Sequence, residues 1–208
     1  MFESTISSQG VIELPKPSNI RIMMMPFMFR DVRGSLPGNL QAWVGPLEEM
    51  IGDRESELDV AYLTIDEAFV KRGEHHRRPG LHVDGAGGWG GGTWGTSGML
   101  VTASHFACRA WNQDFEGEVG DEGDCEHLRP QLREDAIIDL IPGQFFHLNR
   151  TAVHETFVMP EDALRQFVRI SEPNDSPWFA NYTPNPTGVE PLGEILPSRE
   201  KEMGYRPC

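Results

Sequence analysis

Cysteine is scarce in this chain of 208 residues, and the three present, Cys108, Cys125 and Cys208, form neither an even set nor a Cys-x-x-Cys pair. That count argues against a disulfide framework and offers no thiolate cage for zinc, so a reducing, cytoplasmic setting is the expectation. Long apolar runs are missing too. No stretch approaches the ~20 residues that span a bilayer, and Met1-Phe2-Glu3-Ser4 lacks the basic flank and apolar segment of a secretory leader. Positive charge is the third shortage: 18 lysines and arginines face 32 aspartates and glutamates, for a formal charge of −14. Phosphate backbones and anionic lipid are repelled by such a balance, so neither nucleic acid nor membrane is expected as a partner. The expectation is a soluble monomer or homodimer acting on a small molecule.

With 38% hydrophobic residues the chain can fill one core, and no internal repeat divides it. Gly10 to Leu14 and Ile20 to Met25 read as strands, the second stopped by Pro26. Leu40, Trp43, Val44, Leu47, Met50 and Ile51 recur at helical spacing, interrupted by Pro46, which predicts one short or broken helix packed on a sheet. Val60 to Ile65 is a further strand, and an extended run leads into His82. Met99 to Ala103 follows, and then short strands joined by tight turns at 137–141, 144–148, 153–158 and 164–171. This pattern predicts a mainly β fold, a jelly roll or cupin-like double-stranded β-helix with one or a few flanking helices. Residues 1–172 form that domain; residues 173–208, rich in proline with Trp178, Phe179 and Tyr182 interspersed, form an extended strap over it.

The chemistry starts at His82-Val83-Asp84. An extended chain sends alternate side chains to one side, so an imidazole and a carboxylate converge. His154, on a later strand, supplies a third ligand, and two histidines with one carboxylate leave three octahedral positions of a divalent metal open. His105 and His127 are expected to stay outside the site. The basic cluster Arg72, His75, His76, Arg77 and Arg78 is either a solvated loop or a wall that attracts an anionic substrate group. The acids between Asp114 and Glu126 do not have calcium-loop spacing and read as a solvated loop. Gly85 to Gly95 contains a Gly-x-Gly-x-x-Gly match, but so much glycine cannot open the helix a dinucleotide site requires. A mobile loop laying Trp89 and Trp94 over a bound substrate fits better. On the last strand Arg165, Phe167, Arg169 and Ser171 share one face.

Pro142-Gly143, Phe146 and His154, preceded by His82-x-Asp84, resemble the corresponding block of the iron(II)- and 2-oxoglutarate-dependent dioxygenases, nearest in style to the prolyl-hydroxylase and phytanoyl-CoA-hydroxylase branches. The likeness covers Val60 to Ser171 in outline. It implies His82, Asp84 and His154 as ligands of Fe(II), with O2 and 2-oxoglutarate as cosubstrates, ascorbate as reductant, and succinate and CO2 as products. It also implies that Arg165 binds the far carboxylate of 2-oxoglutarate. Arg169, about 13 Å further along an extended strand, is then a substrate contact or a structural ion pair. Retention of Asp84 favours hydroxylation, desaturation or ring closure over halogenation. Two rival readings use the same residues: a cupin-type metal-dependent isomerase or binding protein, and a non-catalytic interaction domain.

Overall fold

The computed structural model describes residues 1–84, 98–106 and 108–197. The glycine-rich stretch with Trp89 and Trp94, and Cys208, lie outside the described residues. The fold is mainly β, with antiparallel sheets and few helices. Short strands β1 (Phe2–Ser4) and β2 (Ile6–Val11) precede β3 (Arg21–Met28), and two helices follow, α1 (Val32–Ser35) and α2 (Val44–Ile51). After them come β4 (Val60–Val70), β5 (Gly98–Ala103), β6 (Cys108–Trp111) and β7 (Gln113–Phe115), then β8 (Ile137–Asp139), β9 (Gln144–Asn149), β10 (His154–Thr156) and β11 (Ala163–Ser171). The strap holds β12 (Trp178–Phe179) and β13 (Ile195–Leu196), which pair in parallel.

Six strands form the larger sheet, in the order β2-β9-β5-β11-β4-β3; three form the smaller, β10-β6-β8. Alternation sorts the side chains of the larger sheet. Leu63 and Ile65 of β4, with Val168 and Ile170 of β11, join Leu40, Trp43, Leu47 and Met50 from the helical side in one apolar cluster. The opposite face supplies Met99, Val101, Phe146 and Leu148 to a second cluster that also takes Ala110 and Ile138 from the smaller sheet. The two sheets therefore pack face to face as a sandwich, and the cavity described below opens between them. No helix among the described residues is long and apolar enough to cross a membrane.

Several elements differ from the sequence expectation, for local reasons. Pro26 does not stop β3, because β3 is the outermost strand of its sheet, where a missing N–H breaks no ladder. Its free side is covered by the strap: Thr183 N–H donates to the Met23 carbonyl at 3.0 Å and Asn185 Nδ2 to that of Pro26 at 2.8 Å. The helical region is broken as expected, but not by Pro46. A 3-10 turn at Gly38–Trp43 runs into α2, and Pro46 sits in the first turn of α2, where no N–H is required. The N-terminal strand lies at Ile6–Val11 rather than from Gly10 to Leu14, and β1 and α1 were not foreseen. The run into His82 forms only single bridges, not a continuous strand.

The strap is a packed part of the molecule. Trp178 and Phe179 are buried with Met24, Val60 and Tyr62, and Trp178 Nε1 donates to the Met24 carbonyl at 2.8 Å. That carbonyl is presented by a bulge between Ile22 and Met25, where Met24 takes φ +50°. Removing the indole leaves both a cavity and an unanswered carbonyl. Trp178→Ala should lower the unfolding free energy by about 3–5 kcal/mol, whereas Arg133→Ala, which breaks only the exposed pair with Asp135, should leave it unchanged; urea unfolding of both variants measures the difference.

Candidate metal centre

The site rests on one antiparallel bridge. His82 N–H donates to the His154 carbonyl at 2.9 Å, and His154 N–H donates to the His82 carbonyl at 2.9 Å. Residues facing each other across such a bridge point to the same side of the sheet, and the two rings stand 4.3 Å apart between centroids. The other edge of the 81–83 segment is held by the acidic loop: Cys125 N–H donates to Leu81 and Val83 N–H to Gly123. Gly123, at φ +79°, packs so closely that a Cβ there would collide with the Val83 carbonyl oxygen. Leu81 and Val83 turn to an apolar cluster with Trp111 and Phe115, which sends His82 and Asp84 the other way. The alternation expected from His82-Val83-Asp84 is the one found. That the acidic loop would supply a backbone edge was not legible; its acids are mostly exposed, but its peptide groups are engaged.

His154 is positioned by the N-terminus of the chain. Thr151 Oγ1 and Asn149 Nδ2 both donate to the Glu3 carbonyl, at 2.7 and 3.0 Å, and Val153 N–H donates to Ser4 Oγ at 2.9 Å. The turn before β10 is thereby fixed by β1.

Tautomers follow from the backbone. His82 Nδ1 lies 2.7 Å from the Gly80 carbonyl and His154 Nδ1 2.9 Å from that of Ala152. A carbonyl only accepts, so each Nδ1 carries a proton, and the neutral form of each ring has its lone pair on Nε2. Those lone pairs face Asp84: His82 Nε2 is 3.8 Å from Oδ1, and His154 Nε2 is 3.9 Å from Oδ2. The three ligand atoms lie within 4.8 Å of one another, a set that could hold a metal ion. Burial pushes His82 down to about 3, with His154 adding to the effect, which keeps the ring neutral and able to ligate. Burial pulls Asp84 upward, yet the Arg169 guanidinium, and behind it His154 and His82, hold its carboxyl well below the usual carboxylate range.

Both arginines expected to face inward do so. Arg169 Nη1 donates to Asp84 Oδ2 at 2.6 Å, so of its two expected roles the ion pair is the one observed. Arg165 is almost wholly buried. Its Nη1 donates to His76 Nδ1 at 2.9 Å and its Nε reaches the His105 carbonyl at 3.4 Å, and burial lowers its pKa to about 10. His76 in turn directs Nε2 toward Asp66 Oδ2 at 3.3 Å. Asp66 also receives Arg77 at 3.0 Å and Arg21 at 3.2 Å. Burial opposes ionisation of Asp66, but these cationic and imidazole partners keep it well below the usual range.

The basic cluster therefore divides. Arg72 and His75 are exposed, while Arg77 and Arg78 line the cavity. The cavity, of about 70 Å³, has Met99, Val101, Leu148 and Phe167 among its apolar walls and is bordered by Tyr182 of the strap. Asp66 and His76 were missed as a support for Arg165. The one available signal was parity, since Asp66 shares a strand face with Tyr62 and Thr64. His127 lies elsewhere, against the Glu118 carbonyl.

In comparisons with known proteins, no family model, no curated protein and no solved structure matches the chain.

His154→Ala should weaken divalent-metal binding more than about tenfold, while His127→Ala leaves it unchanged, as read by competition with a metallochromic dye; equal affinities would dissolve the triad. A second outcome concerns acid. The unfolded chain takes up a proton at His82 near pH 6.5 that the folded chain refuses until about pH 3, so stability from this residue is full above 6.5 and drains as pH falls between those values. Metal-free protein should thus lose more stability from pH 7 to pH 5 than His82→Gln does, measured by urea midpoints.

Proposed function

We propose that the chain is a jelly-roll oxygenase using iron(II) and 2-oxoglutarate to hydroxylate, desaturate or cyclise a small organic molecule. The observation that carries this reading is the triad itself, with two imidazoles locked by their own backbone in the ligating tautomer and one ionised carboxylate facing both. Two neutral imidazoles and a carboxylate suit a divalent first-row metal and leave half an octahedron for ligands from outside the chain. Strand order supports the jelly roll. Counting eight segments from β4, with 79–84 as the second and β7, which pairs with β1, left out, the neighbours run 1-8-3-6 in one sheet and 2-7-4-5 in the other. Apart from the step between the fourth and fifth, the chain crosses from one sheet to the other at every step, winding around the cavity they enclose.

Iron(II) held by the triad would supply the redox chemistry by which 2-oxoglutarate and O2 become succinate and CO2, with one oxygen atom delivered to a substrate C–H bond in the hydroxylating case. The chain's own residues bind and orient. Among the described residues Arg165 hydrogen-bonds only to the His105 carbonyl and to His76, and its planar fork suits the distal carboxylate of the ketoacid. His76 accepts from one arm of that fork through Nδ1, its Nε2 lying 3.3 Å from Asp66 Oδ2. Arg169 keeps Asp84 ionised and aimed between the two Nε2 atoms. Apolar walls around the triad keep water from the reacting carbon.

The test is succinate formation from 2-oxoglutarate with iron(II), ascorbate and O2 across a panel of small metabolites. Arg165→Ala should raise the KM for 2-oxoglutarate by at least about thirtyfold, the cost of stripping a buried carboxylate of its partner, with iron affinity kept. Arg169→Ala should instead weaken iron binding. An unchanged KM in Arg165→Ala, or no succinate under any condition, removes the reading.

A further inference from the structure

The cavity is electrically the reverse of the chain. The whole protein has a formal charge of −14, yet Arg77, Arg78, Arg165 and Arg169 line this cavity against one carboxylate, Asp84. Two of the four are neutralised where they stand, Arg169 by Asp84 at 2.6 Å and Arg77 by Asp66 at 3.0 Å. Among the described residues no carboxylate pairs with Arg165 or Arg78. Arg78 Nη1 donates to the Glu122 carbonyl at 2.8 Å, and among the described residues no carboxylate lies within ion-pair distance of it.

Arg78 is half-buried, so a ligand that covers it strips away the rest of its water, a cost that an anion answers and an uncharged group does not. In the function proposed above, on which this step rests, the distal carboxylate of the ketoacid takes Arg165 and its other end is committed to the metal. Arg78 then remains for a second ligand. It is rigidly placed for that, since Thr156 Oγ1 donates to the carbonyls of Arg77 and Arg78 at 3.1 and 2.6 Å. Thr156 lies two residues beyond His154 on the same strand, which puts Arg78 on the triad's side of the cavity. Met23, Leu140 and Tyr182 add apolar surface to that lining.

From this we infer that the molecule oxidised is a small organic acid, its carboxylate paired with Arg78 and its apolar body lying against the methionine, leucine and aromatic side chains of the cavity. Amines and uncharged isosteres of the same shape are rejected, because they leave Arg78 desolvated and unanswered.

The probes are phenylacetate and phenylacetamide, with binding to the full chain measured by equilibrium dialysis, with and without saturating 2-oxoglutarate. Phenylacetate should bind at least about tenfold more tightly than the amide, the scale of one charge-assisted pair, and should stay bound when 2-oxoglutarate is added. Arg78→Gln should abolish the preference for acid over amide. Arg78→Lys, which keeps the charge and serves if the glutamine variant does not fold, should retain a reduced preference. Equal binding of acid and amide to the wild-type chain, displacement of phenylacetate by 2-oxoglutarate, or a preference undiminished in both Arg78 variants would each overturn the inference. Failure of the oxygenase reading is distinguishable, since it would show as absent succinate formation beside an intact Arg78-dependent preference.

Discussion

Two reciprocal backbone hydrogen bonds between His82 and His154 are the constraint from which the site follows. They join segments more than seventy residues apart and set both imidazoles side by side on one face. They also make the ring tautomers a local matter, since each Nδ1 is answered by the carbonyl two residues before it in its own chain. A metal site built this way needs no hydrogen-bonding side chain behind its histidines, unlike the carboxylate-histidine arrangements common elsewhere. The burden falls instead on the backbone edges of both segments. One edge is the acidic loop and the other leads, through the turn at Asn149–Thr151, to β1 at the start of the chain.

A second layer of charge surrounds this bridge. Asp84 and Asp66 each draw in cations from different strands, and together they orient arginines from β11 and from the 76–78 segment. Removing Arg169 would leave the Asp84 carboxylate buried without its cation, at a cost of about 3–5 kcal/mol. Such pairs are therefore better seen as fixing geometry than as adding stability. The acidic residues of the 114–126 loop are mostly exposed, while Asp84 and Asp66 serve as anchors for the arginines of the cavity.

Alternation was the legible part of the sequence, and it placed His82, Asp84, Arg165, Phe167 and Arg169 correctly because strand parity depends on nothing beyond the backbone. The sandwich architecture was legible from the run of short strands with turn residues between them. Other features depended on tertiary neighbours. Pro26 is tolerated because β3 is the outermost strand of its sheet, and its free edge is covered by Asn185 of the strap, 159 residues later. The bulge at Met24 reverses the parity of β3, and no residue type there announces a positive φ. Whether Arg77 and Arg78 faced solvent or the cavity was decided by Thr156 and Asp66, two residues that carry no motif of their own.

Tyr182 borders the cavity and Thr183 pairs with Met23, so the wall of the site is finished by a segment that the ribosome makes late. Translation of the hundred residues from His82 to Tyr182 takes about 5–20 s at ordinary elongation rates. During that interval the first two ligands exist without the third, and then all three exist without the wall. A nascent chain can offer all three ligand atoms only after His154 has emerged, and can wall them in only after the strap has docked. The site is thus complete in its ligand atoms before it is complete in its walls, a timing that no single residue of the triad encodes.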